Sequence, residues 1–195
     1  MQHYNRTFKA KLTLKAVIGT VIKEWFPRFT STQWQLFASG TFGQFLDMPI
    51  PTADPLLIHV MMLHEERDVG VGQRGRFRFN VAGIHLEYGE PEFCLITGLK
   101  FGPSANLLAA TKNPRNSILR SRVFSKETDQ SLRLRHIKEF ILGPRFLAAT
   151  DVDAVKTVKM FLVLRGMLGR ELNTYIPPLV LELADNPYNW NRYKM

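Results

Sequence analysis

The amino-acid sequence predicts an α+β fold, mainly helical, with one small antiparallel β-hairpin in a single domain over residues 1–195. Two adjacent runs, residues 77–81 and 84–88, alternate apolar and polar side chains, and a period of two is typical of strands. Elsewhere apolar residues recur at three- and four-residue spacing between proline and glycine breakers, which is typical of helices. A length of 195 residues with 45% hydrophobic content suffices for one core.

The helical spacing predicts seven segments, most of them bounded by a capping or breaking residue. In order, they are Leu12–Trp25 before Pro27, a short helix capped by Ser31 and ended by Gly40, Pro55–Glu66, a helix from Pro91 to Gly98, Ser131–Leu142 before Gly143-Pro144, a long helix from Thr150 to Met167, and Leu179–Ala184 after Pro177. Thr150 and Asp153 resemble a capping box at the start of the long helix.

The hairpin is predicted in register. Only Ala82-Gly83 separates its two runs, and a two-residue loop with glycine is typical of a tight hairpin turn. This loop length places Phe79 opposite Leu86 and Arg78 opposite Glu87, an ion pair across the polar face. Since alanine resists a positive φ, the turn is expected to be weaker than Asn-Gly.

The hairpin and the segment after it carry an ordered set of motif residues. These are a glycine turn, an apolar strand, an acidic residue before Phe, and a Thr-Gly-Leu step with a glycine nearby, here Gly83, Ile84–Tyr88, Glu92-Phe93, Thr97-Gly98-Leu99 and Gly102. Matching segments are Phe42–Leu46 with Met48-Pro49 upstream, and Phe161–Arg170, Ala184-Asp185 and Trp190-Asn191 downstream. The set resembles an uncharacterised plant domain, domain of unknown function nineteen eighty-five, over residues 15–193. Around the Thr-Gly-Leu step the chain is also distantly similar to the plant mobile domain.

The resemblance implies a setting. Members of this family lie in Mutator-like transposon proteins, often ahead of a cysteine protease of the SUMO-protease type. It therefore implies a nuclear protein, with the cytoplasm as the alternative, and a structural role for Gly83, Glu92, Phe93, Thr97, Gly98 and Leu99. The family usually continues with Pro-Trp-Gly where this chain stops at Met195, so the chain is expected to be a truncated copy.

Positive charge is the second functional indication. Lys and Arg outnumber Asp and Glu by 26 to 17, a net charge of +9, and residues 112–145 hold nine basic residues against three acidic ones. A basic loop is predicted at about 103–130. Its candidate contacts with nucleic acid or an acidic protein surface, continued on the following helix, are Arg115, Arg120, Arg122, Lys126, Arg133 and Arg135. Phe124 is the one aromatic residue among these basic residues, so base stacking of single-stranded nucleic acid on this segment is expected to be minor. The alternative is that this segment is only a solvent-exposed connecting loop, because a loop with no functional role has the same composition.

Three motifs that suggest catalysis or ligand binding lack the required context. Gly70–Gly75 matches the dinucleotide fingerprint, but a helix precedes it and a strand follows it, the reverse of that motif. His64-Glu65-Glu66 begins like a zinc-protease helix, yet Asp68 stands where the second histidine belongs. Cys94, the sole cysteine, lies in an apolar helix, which predicts a buried structural thiol rather than a nucleophile.

The sequence thus predicts a non-enzymatic module with no catalytic, metal or cofactor residues and no small-molecule ligand. The first hypothesis is non-specific binding of nucleic acid or a protein partner within a transposon-derived protein. The alternative is a scaffold that positions a fused SUMO-type cysteine protease or its substrate, with any protease activity in a separate downstream domain. A membrane span and a secretory signal are not expected, because no apolar run is long enough for either.

Overall fold

The computed structural model describes residues 18–49, 54–66, 76–99, 117–125 and 131–186. These fall into two compact units. The smaller contains residues 54–66 and 76–89, and the larger contains residues 18–49, 90–99, 117–125 and 131–186. A single domain over the whole chain stays a prediction. Gly70–Gly75, Gly102, Trp190-Asn191 and most of the predicted basic loop lie outside the described residues.

The described residues contain nine α-helices and one two-stranded antiparallel sheet, which confirms the predicted fold class. In chain order the elements are α1 (Ile18–Thr20), α2 (Ser31–Ala38), α3 (Pro55–Leu63), β1 (Phe77–Val81), β2 (Ile84–Tyr88), α4 (Glu90–Thr97), α5 (Ile118–Val123), α6 (Leu134–Leu142), α7 (Pro144–Leu147), α8 (Asp151–Phe161) and α9 (Pro178–Asp185). Helix α1 continues as a π-helical turn over Val21–Trp25 and a 3₁₀ turn over Phe26–Arg28, and α8 continues as a π-helical turn over Leu162–Met167.

The hairpin of the smaller unit has the predicted register, with Phe79 opposite Leu86 and Arg78 opposite Glu87. The Arg78 Nε atom lies 2.8 Å from a Glu87 carboxylate oxygen, so the predicted ion pair is present. Both loop residues have positive φ, 52° at Ala82 and 85° at Gly83, the combination that a tight type I′ turn requires. The Asn80 side chain accepts a hydrogen bond from the Gly83 N–H, which helps to hold Ala82 in this unfavourable conformation.

Helix α3 is apolar and exposed. Asp54 caps it by accepting hydrogen bonds from the N–H groups of Leu56 and Leu57. None of its residues is buried, and four large side chains are more than half exposed: Leu56, Leu57, Met62 and Leu63. The apolar face predicted for this segment is therefore present, but within the described part of the chain its side chains are not buried.

The core of the larger unit surrounds α8. Helices α2, α6 and α9 pack against α8, and every α8 residue from Asp153 to Phe161 is buried. The Trp25 and Phe161 rings contact each other at a tilt of 42°, with centroids 3.8 Å apart, and Phe37, Ile137 and Leu181 add buried side chains from the surrounding helices. The long helix predicted from Thr150 to Met167 is confirmed, because α8 and the π-helical turn together cover it.

The predicted helix caps are largely confirmed. Thr150 caps α8 by accepting from the Asp153 N–H, which is one half of the predicted capping box, while the Asp153 carboxylate pairs with Arg122 instead. Pro177 precedes α9, and Gly98 ends α4 with a φ of +69°. The prediction for α2 is wrong by one residue: Thr30 is the N-cap, in a capping box with Gln33, and Ser31 is the first helical residue.

Candidate nucleic-acid interface

Helix α5, which carries Arg120 and Arg122, has side chains from other elements at both ends. At its start, the two oxygens of the Asp185 carboxylate accept hydrogen bonds from Ile118 N (2.8 Å) and Leu119 N (2.7 Å). At its end, the Arg145 guanidinium donates to the Val123 carbonyl. A six-residue helix is too short to be stable alone, and opposite charges at its two ends compensate its dipole. These two side chains therefore hold the position of the α5 arginines.

Arg122 also forms an ion pair within the larger unit. Its Nη2 atom lies 2.6 Å from Asp153 Oδ1, and the Asp153 side chain is 5% exposed while that of Arg122 is 50% exposed. The carboxylate takes up much of the positive charge that Arg122 would offer to a phosphate. Arg122 is therefore exposed, as predicted, but is only partly available to a ligand.

Lys156 belongs to the same polar network. Its ammonium donates to the Asp185 backbone carbonyl at 3.1 Å. Burial lowers the pKa of Lys156, Asp185 and Asp153 act in the opposite direction, and Arg122 adds to the lowering. The network thus links α5, α8 and the end of α9 through charged groups that compensate one another.

A group of arginines lies where residues 132–135 run antiparallel to residues 172–176. Backbone hydrogen bonds join Leu134 N to Thr174 O, Arg135 N to Leu172 O and Ile176 N to Leu132 O. This ladder brings Arg133 and Arg135, at the start of α6, beside a loop that begins near Arg170. Among these side chains, Arg135 and Arg170 are exposed and Arg133 is half-buried. We call Arg133, Arg135, Arg170 and Tyr175 the α6 arginine surface.

Tyr175 is the aromatic member of this surface. The Arg133 guanidinium carbon lies 4.0 Å from the centroid of its ring, and Arg133 Nη2 donates to the Tyr175 hydroxyl at 2.6 Å. Arg133 Nη1 donates to the Asn173 carbonyl, also at 2.6 Å. Arg133 is thus fixed at two points, and Tyr175 itself is 51% exposed. In contrast, Phe124, the aromatic residue noted from the sequence, is 4% exposed and belongs to the core.

The structure describes four of the six predicted contact residues. Arg122 and Arg135 are exposed, as candidate contacts should be, whereas Arg120 and Arg133 are half-buried. Arg115 and Lys126 lie outside the described residues. Sequence reasoning missed Tyr175 and Arg170. The signal for them is weak, namely a polar, irregular stretch between the long helix and Pro177-Pro178.

A cleft of about 300 Å³ lies beside α6, lined in part by Phe124, His136, Glu139 and Arg145. Its walls combine a carboxylate with a guanidinium, and Arg145 is already bonded to the Val123 carbonyl. The cleft therefore has no clear preference for an anion, unlike the α6 arginine surface.

The predicted structural motif residues of the larger unit meet at the end of α4. Thr97 Oγ1 donates to the Phe93 carbonyl at 2.7 Å and accepts from the Leu99 N–H at 3.2 Å. Gln44 Nε2, from the matching upstream segment, donates to the Thr97 carbonyl at 2.9 Å. Leu99 is buried. The Thr-Gly-Leu step thus forms the C-cap of α4, and the hydrogen bond from Gln44 joins it to residues 42–45.

The other motif residues have varied surroundings. Phe93 packs against the core of the larger unit, Glu92 is half-buried on α4, and Gly83 occupies the hairpin turn. Position 43 requires glycine, because a Cβ atom there would overlap the Ala38 carbonyl. Cys94 is half-buried, so the prediction of a buried thiol is wrong in degree: the short α4 helix has its inner face at Phe93 and leaves Cys94 partly accessible.

Lys159 is the most deeply buried lysine of the described residues. It is 8% exposed in the last turn of α8, with its ammonium 5.6 Å from the centroid of the Phe37 ring. Burial lowers its pKa. Gly40 makes room for it, because a Cβ atom at position 40 would overlap the ammonium nitrogen.

The described residues contain neither of two other kinds of site. No group of three or more His, Cys, Asp or Glu side chains is arranged there to hold a metal ion. Within the same ranges, every helix is too short or too polar to cross a membrane.

Comparisons with known proteins give no relative. No family model, no curated protein and no solved structure matches the chain. The class that the fold defines is therefore a mainly helical α+β protein, and the resemblance to the plant family stays a prediction.

Proposed function

We propose that this chain is a non-enzymatic module that binds nucleic acid through the α6 arginine surface. The observation that carries the proposal is the ladder between residues 132–135 and 172–176, which places Arg133 and Arg135 against an exposed loop that follows Arg170. Arginine is well suited to phosphate because its guanidinium is always charged and donates in a fixed planar geometry. The net charge of +9 adds a long-range attraction for polyanions.

The proposed setting is the nucleus, within a transposon-derived protein. It rests on the ordered motif residues, Thr97-Gly98-Leu99 above all, which resemble the plant family described above. In this setting the chain supplies non-specific attachment to nucleic acid, and any catalytic step belongs to another domain. Phosphate contacts position a protein without reading sequence, so little sequence preference is expected.

Binding should depend steeply on salt. Fluorescence anisotropy of a labelled duplex, measured across a range of salt concentrations, should give log K falling linearly with log salt, because bound phosphates release counterions. Arg135→Ala should weaken binding about equally for all sequences and reduce the slope by about 1. Arg122→Ala should have a smaller effect, since Asp153 already pairs with this arginine.

A matched control removes the same charge elsewhere. Lys23 is exposed on the π-helical turn after α1, and Lys23→Ala should leave the slope unchanged. Absence of binding by the wild-type chain at low salt, to duplex and single strand alike, would refute the nucleic-acid proposal.

A second candidate function is that of a scaffold for a SUMO-type cysteine protease, and the exposure of α3 favours it. Leu56, Leu57, Met62 and Leu63 form an apolar surface of the kind found at protein interfaces. Titration of the chain with a SUMO-type protease domain, followed by calorimetry, tests this candidate. Leu57→Lys and Leu63→Lys should abolish binding if α3 is the contact, and Arg135→Ala should not.

A further inference from the structure

From the Arg133–Tyr175 geometry we infer that the α6 arginine surface binds single-stranded nucleic acid in preference to duplex, with one unpaired base stacked on the ring of Tyr175. This inference rests on the proposed function and deepens it by naming the form of the nucleic acid. It replaces the expectation, drawn from Phe124, that stacking is minor.

The first step is the state of the Tyr175 ring. Arg133 contacts the ring at 4.0 Å, and yet the residue remains 51% exposed. Part of the aromatic side chain is therefore open to solvent, and the exposed Arg135 lies close by, with its Nη1 atom 3.4 Å from Asn173 Oδ1. Proteins that bind single strands commonly combine such an aromatic platform with a positively charged track for the backbone.

The second step is the rigidity of the platform. Arg133 donates to the Tyr175 hydroxyl and to the Asn173 carbonyl, and the backbone on both sides of Tyr175 is bonded to residues 132 and 134. The ring is thus held in place before any ligand arrives. Less conformational entropy is lost when a base stacks on a fixed ring than on a mobile one.

The third step concerns the difference between the two nucleic-acid forms. In a duplex the bases are already stacked on one another, so only phosphates can reach Arg135 and Arg170. In a single strand the same phosphates are available and a base is free to stack on Tyr175. The guanidinium below the ring adds to the attraction, because an arginine stacked with aromatic groups interacts favourably with their π-systems.

The experiment compares a twelve-nucleotide oligothymidylate with a twelve-base-pair duplex by fluorescence anisotropy, with the full chain at one salt concentration. The wild-type chain should bind the single strand more tightly. Tyr175→Ala should weaken single-strand binding by about fivefold to a hundredfold, as expected for loss of one stacked base, and duplex binding by a smaller factor, because Arg133 also loses its hydrogen bond to the tyrosine hydroxyl. Tyr175→Phe, which keeps the ring, should stay close to wild type. A parallel titration with oligouridylate shows whether DNA or RNA is bound more tightly, and preference over duplex by either supports the inference.

Matched variants separate this inference from the proposed function. Arg135→Ala should weaken both forms equally. Equal affinity of the wild type for both forms, or an equal effect of Tyr175→Ala on both, would overturn the inference and leave the proposed function standing. Binding to neither form would refute the proposed function and the inference with it. Competition by polyglutamate as effective as that by oligothymidylate would show recognition of charge alone, and would likewise overturn the inference. The buried Trp25 reports in its fluorescence that each variant is folded.

Discussion

Removing the Asp185 carboxylate should destabilise the larger unit by loosening the start of α5. The Asp185→Ala variant loses two hydrogen bonds of 2.8 Å and 2.7 Å to Ile118 N and Leu119 N. Hydrogen bonds to a charged group contribute about 1.5–3 kcal/mol each, and Asp185 is half-buried, so solvent screens part of this. We therefore expect the free energy of unfolding to fall by about 2–4 kcal/mol, toward the lower end of the summed contributions of the two bonds.

The loss has a second physical origin. The carboxylate faces the positive end of the α5 dipole, and a favourable charge there contributes about 0.3–1 kcal/mol. Asp185→Asn keeps one acceptor oxygen and loses the charge, so it should be destabilised by about half as much as Asp185→Ala. Asp185 also raises the pKa of Lys156, and both variants should lower that pKa further.

Urea unfolding followed by circular dichroism measures the change. Asp47 is an exposed acidic residue just after a 3₁₀ turn over Gly43–Phe45, and it gives the matched control. Asp47→Ala should change the free energy of unfolding by less than about 0.5 kcal/mol. Hydrogen exchange should show faster exchange of the Ile118 and Leu119 amides in Asp185→Ala. A loss below about 0.5 kcal/mol in Asp185→Ala would refute the reasoning, because the six-residue helix would then need only its Ser117 N-cap at that end.

Two further predictions concern buried positions of the larger unit. Burial lowers the pKa of Lys159 below its ordinary 10.5, so the unfolded chain binds more protons between those two values and the free energy of unfolding should rise with pH across that window. Lys159→Met should raise stability at pH 7 and flatten this rise in urea unfolding at several pH values, and an undiminished rise would contradict the assignment. Gly43→Ala should lower the free energy of unfolding by about 1–3 kcal/mol through overlap with the Ala38 carbonyl. By contrast, Gly83→Ala meets open space and adds only backbone strain from its φ of +85°, of about 1–2 kcal/mol. A loss below about 1 kcal/mol in Gly43→Ala would contradict the packing argument.

Local patterns in the sequence predicted what depends on local physics. The alternation of residues 77–81 and 84–88 fixed the strand register, since a slip by one residue would reverse both faces. Thr150 predicted the start of α8, and Gly98 the end of α4, because caps depend on neighbouring backbone groups.

Contacts between distant residues could not be predicted in this way. The Arg122–Asp153 pair joins residues 31 positions apart, and the Arg133–Tyr175 pair joins residues 42 positions apart. Composition indicated a basic segment. It did not show which of its arginines are already bonded to a carboxylate or to a tyrosine. The apolar pattern of α3 likewise indicated a hydrophobic face without showing that this face is exposed.

The close approach of Gly40 to the Lys159 ammonium has an evolutionary consequence. A side chain at position 40 would displace the end of the Lys159 side chain, so the residues at the two positions influence each other. Among relatives of this chain, an alanine or larger residue at position 40 should accompany a shorter residue at position 159. In an alignment, correlated changes at positions 40 and 159 would indicate the contact between α8 and the loop after α2, even in relatives that have neither Gly40 nor Lys159.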